Sequence, residues 1–381
     1  MHRRHATLVA LVLAVVAVGL LGTRAGALTG SLTGPPPTAP IPPPVADLPL
    51  PVATWQAGVE GEPVGVAVDG DALAVLAADE VRLLDARTGT LRWRTATSDA
   101  YDARPALGPD RVVVTGDLSV TLLDRATGSV VARTPFPDPG PAALGVDRSG
   151  VGVVAVAAET KRWAGVLDAA TGRLRWKARF GAETWVAPGI TDGVVVVAGE
   201  TDGGTLLRAF DLVTGAVRWQ VRRGPDSSAP LAIDGVVYFG SGTGRELPRI
   251  EAFDAATGRR RWSVPFPGSL GAAIEPARVG DVLYVLDALG TLGALRASDG
   301  SALWFQPTGH DVIVSRVAVG GGRVAWTTFG DEVVVLDATT GAAVGAWRPH
   351  GVPIDVAWAP GGLIQALRLG DPARVEALTL S

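Results

Sequence analysis

An all-β ring of eight four-stranded antiparallel blades is the fold this sequence predicts, and three observations predict it. The first is a recurring segment, Leu/Phe-Asp-x-x-Thr-Gly-x-x-x-Trp, seen from Leu84 to Trp93, Leu167 to Trp176, Phe210 to Trp219 and Phe253 to Trp262. With weaker copies at Gly128, Gly300 and Gly341, the turn glycines fall 39, 44, 43, 43, 42 and 41 residues apart. A fixed period of this length marks a repeat architecture. The second is another glycine series about 20 residues earlier: Gly70, Gly108, Gly150, Gly193, Gly235, Gly280, Gly321 and Gly361. It has eight members against seven, because the chain stops before an eighth Thr-Gly turn. Thr54-Trp55-Gln56 resembles the strand that follows each such turn, so the N-terminal strand is expected to complete the last blade and close the ring. The third is the strand pattern itself. Val194–Val197 and Val333–Leu336 are short continuous apolar runs suited to sheets covered on both faces. No unit carries a ten-residue amphipathic helical pattern, which disfavours a helical solenoid.

Before the repeats, residues 1–27 combine a basic tip (Met1 to His5) with 17 uncharged residues from Ala6 to Gly22. One apolar helix is expected there, with two readings: a signal peptide cleaved near Ala25-Gly26-Ala27, or an uncleaved signal anchor. Either leaves Arg3 and Arg4 in the cytoplasm and places the remainder outside. Residues 28–51 form a Pro-rich linker, with nine prolines over 34–51, that favours an extended spacer. The propeller is assigned to residues 52–381.

Within the repeat, the Asp and Thr side chains suit bonding to the turn backbone, and Gly suits a positive φ. The following tryptophans, Trp55, Trp93, Trp176, Trp219, Trp262 and Trp304, are expected to pack on the neighbouring blade's turn as structural docking residues.

Composition narrows the function. A net charge of −4 lacks the basic footprint of a nucleic-acid binder. The absence of Cys excludes disulfides, thiolate metal sites, cysteine nucleophiles and a lipid-modified cysteine. Asn is also absent, and 32 of the 34 basic residues are Arg. There is no Gly-x-Ser-x-Gly elbow, and Gly240–Gly244 follows a strand without opening a helix, so it reads as a hairpin loop.

The segment Ala209-x-Asp211-x-x-x-Gly215-x-x-x-Trp219 resembles the tryptophan-docking motif of pyrroloquinoline-quinone-type (PQQ-like, BamB-like) β-propellers, as does Ala252 to Trp262. Ala294 to Trp304 carries Arg296 where Asp is usual, and the second and seventh copies have Ala132 and Gly345 in place of Trp. The resemblance covers residues 52–381 and implies the propeller fold. It also implies a choice of activities, because the superfamily includes quinoprotein dehydrogenases, a barrel-assembly scaffold lipoprotein and exported binding proteins. Its methanol-dehydrogenase-like members use vicinal cysteines and Asn-containing calcium sites, and this chain has neither residue. No cofactor is therefore expected.

The short Gly70-type and Gly89-type turns should share one face of the ring. The connections between blades and the middle hairpins should occupy the other, where binding residues are usual. Candidates there are Tyr101, Glu159, Lys161, Arg162, Trp163, Trp185, Arg245 and Glu246. Trp163, Trp185 and Tyr101 lie outside the docking register, which suits either interface anchors or aromatics packed beneath their own loops. His310 and His350, 40 residues apart with Asp311 and Asp355 nearby, could hold a divalent metal or form a pH-sensitive cluster; the alternative is two solvated loop residues. The reading reached is a non-enzymatic, exported, membrane-anchored monomeric propeller that binds an envelope protein or peptide. A quinone-dependent dehydrogenase and a sensor for a small ligand or cell-wall fragment are the alternatives.

Overall fold

The computed structural model describes residues 51–380, apart from segments 98–103, 117–118, 136–141, 147–152, 159–162, 183–185, 225–226, 243–247, 268–275, 288–289, 309–316, 329 and 369–372. The described residues form eight four-stranded antiparallel sheets. Seven are blades of consecutive strands, here numbered 1 to 7 and spanning residues 63–96, 106–135, 142–179, 189–223, 231–265, 277–307 and 318–347. The remaining sheet is composite: strands Val52–Gly58 and Arg374–Thr379 pair antiparallel, joining the two ends of the described chain. The expected fold needs correction at its start. The apolar helix preceding the ring falls outside the described residues, and these contain strands but no helix.

The hydrophobic core is divided among the junctions rather than pooled at the centre. Eight buried clusters occur among the described residues, each shared by two adjacent sheets; one unites Leu73 and Val75 of blade 1 with Ile364 and Val375 of the composite sheet. A junction on both sides of every sheet closes the ring. Sheets buried on both faces explain why the middle strands read as unbroken apolar runs, such as Val194–Val197.

Each contiguous blade bulges between its third and outer strands, one to two residues before the turn, and blade 1 also shifts register between Pro63 and Gly65. In blade 1, Leu83 pairs with Trp93 and Leu84 with Leu91, so Arg92 is the extra residue. A bulge re-aims the side chain it leaves unpaired. Arg92 therefore turns to Asp85, at 2.7 Å, and the equivalents Arg175, Arg218 and Arg261 meet Asp168, Asp211 and Asp254 at 2.6, 2.6 and 2.8 Å.

Candidate functional site

The alternation of strands places two kinds of connection on opposite faces. On one face, all seven turns between third and outer strands have five residues. Six of them are held by an Asp that accepts from the N–H and hydroxyl of the Thr three residues on. Asp85 Oδ1 accepts from the backbone N–H groups of Arg87 and Thr88 and from the Thr88 hydroxyl, at 3.0, 3.2 and 3.2 Å. Asp124, Asp168, Asp211 and Asp337 repeat that triple acceptance. The Arg92 partner and these N–H donors hold the Asp85 carboxyl down to about 2, and Arg175 with Thr171 does the same for Asp168. Blade 6, with Arg296 at the Asp position, borrows Asp281 instead, which accepts from the Ser298 N–H and hydroxyl at 2.9 and 3.0 Å.

The tryptophans lock this face between blades, as their spacing predicts. A Cβ placed on Gly258 would lie 2.7 Å from the Trp219 ring, and one on Gly89 2.5 Å from Trp55, so only Gly lets the indole lie on the turn. The indole N–H groups of Trp93, Trp176, Trp219, Trp262 and Trp304 donate to the carbonyls of Arg125, Leu212, Ala255, Ala297 and Ala338 in the next blade, at 2.7 to 3.3 Å. Trp55 makes the contact but its buried N–H has no partner.

The opposite face is irregular. Connections between contiguous blades run from 6 to 11 residues, and middle hairpins range from the two-residue turn at 202–203 to the seven residues 242–248. Regular strands holding unequal loops make this the candidate site. Of the sequence candidates, Tyr101, Glu159, Lys161, Arg162, Trp185, Arg245, Glu246 and His310 lie outside the described residues. Trp163 is placed, and it is not on the face: it is 3% exposed, packed with Val113, Leu122 and Ala132 of blade 2. The Lys177 ammonium sits 5.0 Å from the centre of its ring. Of the two readings open to an off-register aromatic, the buried one holds for Trp163.

His350 is exposed in the four-residue connection 348–351, and its carbonyl accepts from Arg374 at 3.0 Å. Asp355, nearby in sequence, is buried and already engaged. Arg104 grips it with two parallel bonds of 2.7 and 2.8 Å, and the Val66 N–H donates to it at 3.1 Å. This bidentate pair was not expected. Arg104 comes from the connection between blades 1 and 2, crosses blade 1 at Gly65, and reaches the inner strand Val352–Ala359 of the composite sheet. A Cβ at Gly65 would sit 2.8 Å from Arg104 Cγ. The pair therefore ties three consecutive sheets at the seam where the chain ends meet. A lone Asp inside an otherwise apolar strand is the signal that marks it in the sequence.

A quinone–calcium centre finds no matching donor set. The chain has no Cys or Asn, and no trio of His, Asp or Glu able to hold a metal ion occurs among the described residues. Asp355 has its oxygens occupied by Arg104 and backbone donors.

Repeating docked turns on one face, unequal loops on the other and a composite closing sheet define a β-propeller of the PQQ-like repeat class. The chain belongs to the family described as outer membrane protein assembly factor BamB, whose pattern matches residues 52–133, 116–247 and 246–355. Among solved structures it is similar to BamB from Moraxella catarrhalis, at 17% identity over 86% of this chain and 97% of that one, with a TM-score of 0.64. The C-terminal WD40 domain of Sif2 aligns at 13% identity over 88% and 100% of the two chains, TM-score 0.68. A europium-containing methanol dehydrogenase aligns at 13% over 83% and 84%, TM-score 0.63. These identities establish likeness of fold alone. No curated protein matches the chain in sequence.

Proposed function

We propose that this protein is a binding scaffold of the cell envelope, presenting its irregular loop face to a protein or peptide partner. One observation carries the reading: seven turns of five residues close one face, six of them on an Asp that accepts from the N–H and hydroxyl of a Thr three residues on, while the other face bears loops of two to eleven residues on the same strands. A rigid ring with one varied face suits recognition better than turnover. Membership of the BamB family supports a partner in envelope assembly. In this reading the basic tip and apolar span of residues 1–27 direct export and hold the propeller at the membrane, with the Pro-rich segment 28–51 as spacer. No helix among the described residues is long and apolar enough to cross a membrane.

Because the chain contains no Cys, a single introduced thiol can report each face. Asp202→Cys places one at the tip of the blade 4 middle hairpin, and Ala170→Cys places one on the turn face, both exposed. With a thiol-linked photocrosslinker in native membranes, the first should capture a discrete envelope protein and the second should not. Equal capture at both sites, or capture only from the turn face, would overturn the assignment.

A further inference from the structure

The outer strands of the ring divide into two groups that the repeat does not explain. Blade 1 carries two basic residues on its outer strand Leu91–Ala96, blade 2 one on Val130–Pro135, and blade 3 three on Leu174–Arg179. Blade 4 carries three on Val217–Arg223 and blade 5 two on Arg260–Pro265. The outer strands of blades 6 and 7 and of the composite sheet carry none, and no outer strand of the ring contains Asp or Glu. In a chain of net charge −4 this is a one-signed rim over one part of the circumference.

Part of the charge is spent internally, Arg92, Arg175, Arg218 and Arg261 on the turn aspartates, Arg223 and Arg260 on Glu251 and Arg94 on Glu60, and part is not. Arg133, Arg173, Arg179 and Arg259 are exposed and have no acidic partner among the described residues, and Arg222 bonds only the Thr201 hydroxyl, at 3.1 Å. Burial and the nearby Arg222 charge pull the Arg208 guanidinium below its usual value, and its bonds go to Gln220 and two backbone carbonyls. Beside the cations runs a second row. Leu91, Val130, Leu174 and Val217, each the second residue after a turn glycine, are 47, 49, 42 and 53% exposed. The same level in blades 5, 6 and 7 holds Arg260, Ala302 and Ala343.

Charges on sheet edges also guard against edge-to-edge aggregation. That need applies to every outer strand alike and is met by either sign, so it explains neither the uncharged sector nor the missing carboxylates. We propose that the rim of blades 1–4, densest at the outer strands of blades 3 and 4, is a peripheral docking surface for an anionic phospholipid bilayer. Guanidinium groups bond phosphate oxygens through two N–H donors, and exposed aliphatics beside them favour the boundary between headgroups and acyl chains. The row repeats one side-chain chemistry at one level of neighbouring blades. That arrangement matches an extended, featureless surface rather than the distinct pockets of a protein partner, and a flat bilayer would meet two or three adjacent blades. The surface is separate from the loop face and stands without the partner reading.

The test uses the full-length chain with an environment-sensitive fluorophore at one introduced thiol. Ala216→Cys lies just before Val217 in blade 4, and Ala342→Cys is its equivalent in blade 7; both sites are exposed. The probes are phosphatidylglycerol–phosphatidylcholine vesicles, phosphatidylcholine vesicles and poly-L-glutamate. A blue shift is expected at position 216 with the anionic vesicles only, reversed by salt, and none at position 342. Since a surface cation contributes about one kcal/mol near such a membrane, adding Arg179→Gln and Arg222→Gln should weaken the response roughly 30-fold. The label reads local contact, so partition of the N-terminal apolar span does not mimic it. Equal shifts at both positions, or no shift at 216 with anionic vesicles, would overturn the proposal. A shift with poly-L-glutamate but not with vesicles would also overturn it and assign the rim to an acidic protein segment.

Discussion

The junction between blades 4 and 5 and the junction between blades 2 and 3 solve one packing problem with different parts. In the first, Trp219 lies over Gly258 and donates to the Ala255 carbonyl at 2.7 Å. At the outer end of the same junction, Arg223 pairs with the buried Glu251. In the second, the docking position is Ala132, whose Cβ abuts Gly172 directly, and Thr134 donates to the Gly172 carbonyl at 2.6 Å. The missing indole is replaced from the other side: Trp163 of blade 3 packs with Ala132, folding over Gly165, where a Cβ would lie 3.1 Å from its ring. The repeat therefore conserves a filled junction, not a tryptophan at one position. An aromatic outside the register is a clue to a lost one inside it.

The strongest way to break this comparison is to empty both junctions. Trp219→Ala removes a side chain only 9% exposed together with its hydrogen bond, and should cost about 3–5 kcal/mol, measured by denaturant unfolding. Trp163→Ala should cost a comparable ~3 kcal/mol if the exchange is real, because its side chain is equally enclosed. A loss below about 1 kcal/mol, the range of ordinary surface changes, would return Trp163 to the face as a contact residue. Adding Ala132→Trp to Trp163→Ala sharpens the point. Recovery of part of the loss in the double variant shows that the two positions serve one junction, whereas simple additivity would separate them.

A finer test compares two glycines of the turn face. Gly258 and Gly70 both have positive φ, at 70° and 61°, but only Gly258 faces an indole; nothing lies within 4 Å of a Cβ on Gly70. Gly70→Ala should therefore cost the backbone strain alone, about 1–2 kcal/mol. Gly258→Ala must also displace Trp219 and should cost about 2–4 kcal/mol. Equal losses, measured by thermal unfolding, would mean that the indole contributes nothing to the requirement for Gly.

Much of this architecture was legible in the sequence because the repeat is enforced locally. Gly89 and its equivalents need a positive φ, Asp85 and Thr88 close the turn among themselves, and Trp93 has a fixed distance to travel. Such requirements leave a mark at the same place in every copy. The mismatch between seven and eight glycines likewise pointed to Val52–Gly58 as the closing strand, which pairs with Arg374–Thr379. What was not legible depends on residues distant in sequence. Trp163 could be assigned to a junction only by seeing which blade it faces. Arg104 and Asp355, separated by 251 residues, belong to no repeated position. The same holds for the loop face, whose unequal connections follow no common constraint and so carry no periodic signal.

The smallest expected effect separates the exposed turns from the buried junctions by pH. Asp85 and Asp168 sit at about 2 in the folded chain against an ordinary 3.8, and Asp254 and Asp337 are displaced in the same direction, the first by Arg261 with Thr257 and the second by Thr340. A carboxyl whose folded value is depressed stabilises the fold fully above its unfolded value, and the contribution is lost as pH falls toward the folded one. The melting temperature should therefore be flat from neutrality to about pH 5 and fall between about pH 4 and pH 2. Asp168→Asn keeps an acceptor for the Thr171 N–H but loses the Arg175 pair, and should make that acid slope slightly shallower. Trp219→Ala should instead lower the whole curve without changing its slope, because an indole packed on glycine carries no titrating group. An acid slope unchanged by Asp168→Asn would mean that the Arg175 pair does not set the acid limit of the fold.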